Sequence, residues 1–237
     1  AVANLAAGAL SDRYGRKPVL LAGWLIGLPV PLLIIVAPEW SWIVLANLLL
    51  GVNQGLCWST TVAMKVDLVG PARRGLALGL NESAGYVSVA GAALVTGLIA
   101  AQTGLRPEPF LLGLAVVALG LGASALFVRE TSGHVAHEAA TATAHAHAPG
   151  AGGLRRIVAA GTFLDPTLSA ASQAGLVNNL NDGLAWGVFP LLFTRAGLSL
   201  GEVGLLVAIY PAVWGVTQIG TGALSDRVGR RRLIVGG

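Results

Sequence analysis

Two carboxylates, Glu82 and Asp182, lie inside long apolar segments of this sequence. An ionisable group in a bilayer costs at least ~2.5 kcal/mol, so such residues are functional candidates by default. Asp182 ends the stretch Asn178-Asn-Leu-Asn-Asp182, and Asn178 and Asn179 share its helix face because they precede it by four and three residues. A carboxylate in this setting could take up a proton on one side and release it on the other. The alternative is a structural acceptor that only hydrogen-bonds its neighbours.

Amphipathic aromatic and amide side chains recur at helical spacing in several apolar segments. Residues three, four or seven positions apart share one face of a helix, so each series forms a stripe. Such side chains suit a moderately polar organic solute, and we expect the stripes to line one cavity. Helix packing is the alternative for each stripe taken singly, and a structural contact is the alternative for Glu82. The candidate cavity residues are Asn47, Gln54, Trp58, Asn81, Tyr86, Asn178, Asn179, Tyr210, Trp214 and Gln218.

Other kinds of chemistry find little support in the residue pattern. His134, His137, His145 and His147 lie in an Ala- and Thr-rich stretch that is typical of a solvated linker, without the ligand spacing of a metal site. The single cysteine, Cys57, excludes an internal disulfide, and neither lysine ends a phosphate-binding loop. The sequence has no evident Ser/His/Asp or Cys/His set. We therefore predict no enzyme, no cofactor and no metal.

The elements that position the candidate residues must be membrane-spanning helices. Of 237 residues, 54% are hydrophobic and only 11% are charged, whereas an average soluble domain has about 25% charged residues. Apolar runs of about 20 residues, the length that crosses a bilayer core, alternate with short charged breaks. Within the runs there is no period-two alternation, which argues against a β-barrel. The predicted complete spans lie near residues 18–37, 42–64, 76–102, 110–128, 174–194 and 202–221.

Basic residues are distributed unevenly among the polar breaks. Of the 15 Lys and Arg residues, only Arg106 and Arg195 fall on one side of the predicted membrane. Such a bias marks the other side as cytoplasmic and explains the net charge of +4 without nucleic-acid binding. The sequence therefore predicts a multi-pass protein of the cell membrane with cytoplasmic loops at 11–17, 65–74, 129–165 and 225–232.

One charged loop occurs twice in the chain. The stretch Gly8-Ala-Leu-Ser-Asp-Arg-Tyr-Gly-Arg-Lys17 recurs as Gly222-Ala-Leu-Ser-Asp-Arg-Val-Gly-Arg-Arg231, with eight of ten positions identical. The second glycine of each copy permits a tight turn with positive φ, and the first permits close approach of helices. The aspartate of each copy can cap or pair with a helix N-terminus. A topology signal without a conformational role is the alternative, but two equivalent copies favour a shared function.

The repeated loop resembles the most recognisable motif of the major facilitator superfamily, which joins the second and third helices and recurs between the eighth and ninth. The resemblance covers the whole chain. It implies an all-α integral membrane protein, a helical bundle of two parallel six-helix halves, and an even number of spans between like-oriented copies agrees with parallel halves. Residues 1–10 would end the second helix and 233–237 would begin the ninth. The bundle would thus be truncated at both ends, without the first helix and most of the last four.

A second junction, from Asp67 to Gly75, resembles the family's loop between the fourth and fifth helices. The carboxylate that closes the fourth helix there commonly pairs with the motif's later arginine, which here is Arg16. An exposed aspartate of little consequence is the alternative. The candidate conformational-switch residues are Gly8, Asp12, Arg13, Gly15, Arg16, Lys17, Asp67, Arg74, Gly222, Asp226, Arg227, Gly229 and Arg230.

The resemblance implies a secondary active transporter that moves a small organic solute by alternating access, coupled to a proton, as a monomer in the lipid bilayer. Residues 1–128 would form the N-terminal half bundle, 129–165 a cytoplasmic linker and 166–237 the start of the C-terminal half. A non-transporting membrane sensor and the permease subunit of an ATP-driven transporter are the alternatives. Two departures leave the coupling ion and direction open: Asn47 replaces an arginine common in the family, and the fifth helix lacks the proline of antiporters.

Overall fold

The protein is an all-α membrane protein. The computed structural model describes residues 2–69, 73–133 and 158–236, and these residues form helices without a β-strand. A π-helical turn, Ala160–Leu164, precedes the seventh helix. The helices are α1 (Val2–Tyr14), α2 (Arg16–Gly27), α3 (Pro29–Val36), α4 (Trp40–Val69), α5 (Arg74–Thr103), α6 (Glu108–Phe127), α7 (Pro166–Gly187), α8 (Phe189–Arg195), α9 (Leu200–Val228) and α10 (Arg230–Gly236).

Five helical segments in the described chain are long and apolar enough to cross a membrane. They agree with five of the six predicted spans, although several extend further at their ends because polar residues continue the helix beyond the apolar run. Helices α2 and α3 together form one of them, with a break at Leu28 where Pro29 supplies no N–H group. The five segments are Arg16–Val36, Trp40–Val69, Arg74–Thr103, Glu108–Phe127 and Leu200–Val228.

The sixth predicted span, over residues 174–194, is wrong at its start and is interrupted after Gly187, whereas its end agrees with Arg195. The helix begins earlier, at Pro166, where Asp165 caps it by accepting a hydrogen bond from Leu168 N at 2.8 Å. It ends at Gly187, and a separate short helix follows, because Pro190 removes a backbone donor and crowds the preceding turn. Its amide-rich centre also lowers its hydropathy, so α7 is not among the five apolar segments.

Residues at the helix ends explain most of the turns. Gly15 and Gly229, the second glycines of the two loop copies, have φ angles of 92° and 86°, as the repeat predicted. Only glycine adopts this region without strain, so each long helix ends there and the next begins at once. At the start of α9, Ser199 and Glu202 form a reciprocal capping box.

The helices form two groups, α1–α6 before residue 134 and α7–α10 after residue 157, and these groups meet along one long contact. Helix α4 packs on α1, α2 and α3, and α6 packs on α2 and α3. The most extensive contact in the described chain joins α5 to α9 and links the part before the linker to the part after it. Many leucine, valine and phenylalanine side chains on the outer faces are exposed, which suits a surface covered by lipid.

Candidate functional site

Asp182 lies at the centre of a polar site inside the bundle. Its side chain is buried, with 6% of the residue exposed. Tyr210 Oη on α9 donates to Asp182 Oδ1 at 2.6 Å, and Tyr86 Oη on α5 donates to Asp182 Oδ2 at 3.3 Å. Both carboxylate oxygens therefore have a hydroxyl donor, and the carboxylate links three helices. Asp182 is therefore buried among polar side chains, and its role in coupling stays a prediction.

Four further aromatic contacts surround this carboxylate. The rings of Tyr86 and Trp214 are stacked, with centroids 5.1 Å apart and an interplanar angle of 30°. Trp58 meets Tyr86 edge-on at 6.3 Å, and Trp186 lies 6.5 Å from the same ring. Tyr210 meets Trp214 edge-on at 5.9 Å. The five rings, which we call the aromatic cluster, come from α4, α5, α7 and α9, so the two helix groups meet at this point.

A cavity of about 430 Å³ opens beside the aromatic cluster. Its wall combines two carboxylates, amides and indole rings from both helix groups. Asn4 on α1 and Trp186 on α7 belong to this wall but were missed by the sequence reasoning. Trp186 lies four residues after Asp182 and could have been found from that spacing, whereas Asn4 offered no signal. Of the predicted site residues, Gln54, Trp58, Glu82, Tyr86, Asn178, Asn179, Asp182 and Trp214 line the cavity.

Four predicted cavity residues do not line this cavity. Asn47 lies seven residues before Gln54, or about 10 Å along the helix, and lines a separate cavity with Arg106. Gln218 lies one turn beyond Trp214 and lines a smaller cavity near the repeated loop. Asn81 is buried and accepts a hydrogen bond from Lys65 Nζ at 2.9 Å. Tyr210 is not part of the wall but donates a hydrogen bond to Asp182.

Glu82 lies between two cavities. It lines the 430 Å³ cavity together with Asp182, and it also lines a cavity of about 220 Å³ that reaches Arg230 of the second loop copy. Asn81 Nδ2 donates to Glu82 Oε1 at 3.4 Å, and Lys65 lies on the other side of that amide. The second coupling candidate therefore borders both the cavity near the repeated loop and the cavity that contains Asp182.

The first loop copy forms a polar junction with the end of α4. Arg16 Nε lies 3.2 Å from Asp67 Oδ2, which is the pairing expected from the sequence. Arg16 Nη1 also lies 2.7 Å from Asp12 Oδ1, one helical turn away. Thr131 Oγ1 donates to Asp67 Oδ2 at 3.2 Å and joins the residues after α6 to the same carboxylate. The side chains of Arg16 and Asp67 are only 12% and 10% exposed, so solvent and salt screen this pair less than they screen a surface ion pair.

Glu130 completes this junction, although the sequence reasoning overlooked it. Its carboxylate accepts hydrogen bonds from Arg16 N and Lys17 N, both at 2.9 Å, at the first turn of α2. Partial burial alone would raise the pKa of Glu130, but the backbone N–H groups of Arg16, Lys17 and Ser132 outweigh it and lower the pKa to about 2. A lone glutamate beside an arginine at the start of a polar stretch carries no sequence signal for this role.

The pKa of Glu130 predicts how this junction responds to acid. Because the pKa is lowered on folding, the stabilisation is complete above the ordinary value of 4.5 and is lost as the pH falls toward about 2. We expect wild type to have a higher melting temperature than Glu130→Gln above about pH 5, and the difference to shrink below about pH 4.5. Thermal unfolding of both proteins in detergent across this range tests this, and a difference that stays constant down to pH 3 contradicts it.

The remaining switch candidates of the first copy have different surroundings. Lys17 Nζ donates to Ala125 O at 2.8 Å, and the Arg13 guanidinium carbon lies 5.1 Å from the ring centre of Tyr14. The close helix approach predicted at Gly8 is not found, because an added Cβ would meet nothing within 4 Å. Helix α1 instead buries Ala7, on a different face, against α2 and α4.

The second loop copy binds the N-terminus of α5. Asp226 Oδ1 accepts a hydrogen bond from Gly75 N at 2.9 Å, and Asp226 Oδ2 accepts one from Leu76 N at 3.0 Å. A carboxylate at this position satisfies two free backbone donors and interacts favourably with the helix dipole. The helix-capping role expected for this aspartate is therefore present. This contact joins α9, which follows the linker, to α5, which precedes it. Arg74 begins α5, and Arg227 and Arg230 flank the turn at Gly229.

Glycines bring α5 and α9 into backbone contact along their length. A Cβ added to Gly222 would lie 2.5 Å from Gly75 O, and one added to Gly204 would lie 2.8 Å from Gly97 Cα. A Cβ at Gly215 would lie 2.9 Å from Val87 N. We call this contact the glycine seam. The close approach predicted for Gly222 is confirmed, and the seam extends it to the opposite end of the helices.

A valine in the seam is expected to separate the two helices. Gly204→Val places side-chain atoms where they overlap the backbone of α5. Overpacking of this kind destabilises the folded protein by about 1–3 kcal/mol. Gly220→Val, on the same helix, is the matched control because a Cβ there meets nothing within 4 Å. Thermal unfolding in detergent should show a clear loss for Gly204→Val and little change for Gly220→Val. Equal melting temperatures would contradict the role of the seam.

The fold and the site together define a multi-pass membrane protein whose helices enclose an acidic, aromatic cavity of solute size. The sequence model of the Major Facilitator Superfamily matches residues 1–237, and the chain belongs to this family. An organic cation transporter-like protein of Drosophila melanogaster is 36% identical over 67 residues, which cover 28% of this chain and 12% of the fly protein. No solved structure matches the chain significantly.

Proposed function

We propose that the protein is a secondary active transporter that moves a small organic solute across the membrane by alternating access. The observation that carries this proposal is the 430 Å³ cavity, whose wall is built from both sides of the linker. A site shared by two helix groups changes its access when the groups move against each other. The family and the name of the fly protein support transport of an organic solute.

The moving parts follow from the contacts at the loop end. We propose that residues 1–128 and 166–237 belong to two half bundles joined by a linker at 129–165, most of which lies outside the described residues. The loop end of the glycine seam, where Gly222 meets Gly75, and the bond from Asp226 to α5 hold the halves together at that end. The junction of Arg16, Asp67 and Glu130 ties the first loop copy to its own half. Opening of the cavity toward the loops requires the Asp226 bond and the loop end of the seam to part, while the Gly97–Gly204 end can stay closed.

We further propose that this end faces the cytoplasm, that the protein works as a monomer in the cell membrane, and that the solute is not chemically converted. Thirteen basic residues in the loops at this end support the orientation. The four histidines of the linker, for which the sequence predicted no metal site, lie outside the described residues.

We propose coupling to a proton, with Asp182 as the principal site and Glu82 as the second. The titratable groups that face Asp182 are Tyr86 and Glu82 on α5 and Tyr210 on α9. Lys65 on α4 approaches Glu82 through Asn81. A carboxylate that is protonated in one access state and ionised in the other carries a charge difference between the states, and coupling requires that difference.

Proteoliposomes with the full-length protein test the proposed function. A panel of organic cations, neutral solutes and organic anions is offered with and without an imposed proton gradient. Gradient-dependent accumulation of one class supports a coupled transporter. If uptake into proteoliposomes is no greater than uptake into empty liposomes for every class, while a ligand still binds to the protein, the sensor alternative is identified and the proposal is overturned.

A further inference from the structure

We propose that the 430 Å³ cavity binds a compact organic cation, with its charged nitrogen between the Asp182 carboxylate and the rings of the aromatic cluster. This inference rests on the proposed function, because it names the class of solute for the same cavity. It is carried by three features of the wall: its charge, its rings and its volume.

The described wall of the cavity is acidic. Glu82 and Asp182 both line it, and no arginine or lysine of the described residues does so. Lys65 is the near exception, and its ammonium group is directed to Asn81 Oδ1 at 2.9 Å. Opposite charges attract strongly in a low-dielectric site, so an ionised carboxylate there favours a cation, and an organic anion would meet no basic partner among the described residues of the wall.

The hydroxyl groups around Asp182 prepare it as an acceptor. Tyr86 and Tyr210 each donate one hydrogen bond, so each carboxylate oxygen has one donor and retains further lone pairs. These contacts fix the direction of the carboxylate between α5 and α9. A cation that enters the cavity meets an oriented negative group and needs no rearrangement of the side chain.

The aromatic cluster supplies the second half of the cation site. Trp58, Tyr86, Trp186 and Trp214 all line the cavity. Faces of such rings attract a cation within about 6 Å, and tryptophan does so best. Quaternary ammonium groups are recognised by this combination of rings, because they have no N–H group to donate.

The volume limits the size of the solute. A cavity of about 430 Å³ lies in the lower part of the range of about 300–1,000 Å³ that holds drug-sized ligands. One aromatic ring with an alkylammonium group fits such a space. We therefore expect a compact cation.

Three matched ligands test the charge preference on the full-length protein in lipid nanodiscs. (4-Hydroxymethyl)phenyltrimethylammonium is a permanent cation, 4-tert-butylbenzyl alcohol is its neutral isostere, and 4-tert-butylbenzoate is a related anion. Calorimetric titration, with empty nanodiscs subtracted, should show the cation binding at least ~10-fold more tightly than either of the others. Equal affinities, or tighter binding of the anion, overturn the proposal.

Two variants locate the preference. Asp182→Asn keeps the side-chain shape and should reduce the preference for the cation over the neutral isostere to less than about threefold. Asp165→Asn, which changes an exposed helix cap far from the cavity wall, should keep the wild-type ratio. The ratio of the affinities for two ligands, measured in one protein sample, is insensitive to the fraction of folded protein. An unchanged ratio in Asp182→Asn overturns the assignment of Asp182.

The outcome separates this inference from the proposed function. Tight cation binding without uptake in proteoliposomes would retain the cation site and reject transport. Gradient-driven uptake of a neutral solute or an anion, with no preference for the cation, would retain transport and reject the cation site.

Discussion

Asp182→Asn is expected to abolish accumulation of solute against its gradient, while exchange of solute across the membrane continues at saturating concentration. The amide cannot take up and release a proton, but it keeps the shape of the side chain: its oxygen can accept from Tyr210 and its NH2 group can donate to the Tyr86 hydroxyl oxygen. An imposed gradient of one pH unit is equivalent to about 1.4 kcal/mol per proton, or about tenfold accumulation. The variant should therefore lose this roughly tenfold accumulation, and the solute concentration should become equal inside and outside the proteoliposomes.

Two proteins control this measurement in proteoliposomes. Asp182→Glu restores a titratable group and should recover part of the accumulation, whereas Asp165→Asn should accumulate solute at the wild-type level. Wild-type accumulation by Asp182→Asn would contradict the coupling role and make Asp182 a structural acceptor. Glu82→Gln would then be the next variant, because Glu82 shares the cavity with Asp182.

Asp226→Ala is expected to shift the bundle away from the state that is closed at the loop end. The substitution leaves Gly75 N and Leu76 N without their carboxylate and removes a negative charge from the N-terminus of α5. Loss of such a cap costs about 1–2 kcal/mol. A free-energy change of this size alters the ratio of closed to open protein about 5- to 30-fold.

Spin labels on exposed positions of the two helices can follow this shift. Labels at Leu80 on α5 and Leu224 on α9, in a cysteine-free background, report the separation of the helices near the loop end. Asp226→Ala should increase the population with long distances. Asp165→Ala removes a cap within α7 and should leave the distance distribution unchanged. A distribution for Asp226→Ala that matches wild type would mean that this bond does not hold the halves together.

The sequence predicted the architecture well because membrane helices leave a direct trace in composition. A run of about 20 apolar residues has few alternatives in lipid, and the repeated loop located Gly15 and Gly229 at the turns with positive φ. The pairing of Arg16 with Asp67 followed from the family motif. Depth along a helix and proximity to a turn can both be read from residue spacing.

Contacts between distant segments could not be predicted in the same way. The sequence placed Tyr86, Asp182 and Tyr210 on three helices but gave no reason for the two hydroxyls to meet one carboxylate. Helical spacing also placed Asn47 in the 430 Å³ cavity, whereas it lines a different cavity near Trp40, where α4 begins. A stripe fixes the face of a helix, but the tilt and kink of the helix decide which part of that face reaches the cavity.

The backbone contact between Gly97 and Gly204 has a consequence for conformational entropy. Immobilising a long side chain at an interface costs about 0.5–1.5 kcal/mol, and glycine has no side chain to immobilise. Close packing along the seam therefore gains dispersion contacts between backbones without freezing rotamers. Parting of the seam in the proposed transport cycle would lose these dispersion contacts and release no side-chain rotamers. The free energy of this contact therefore depends on the separation of the two backbones, with almost no contribution from side-chain entropy.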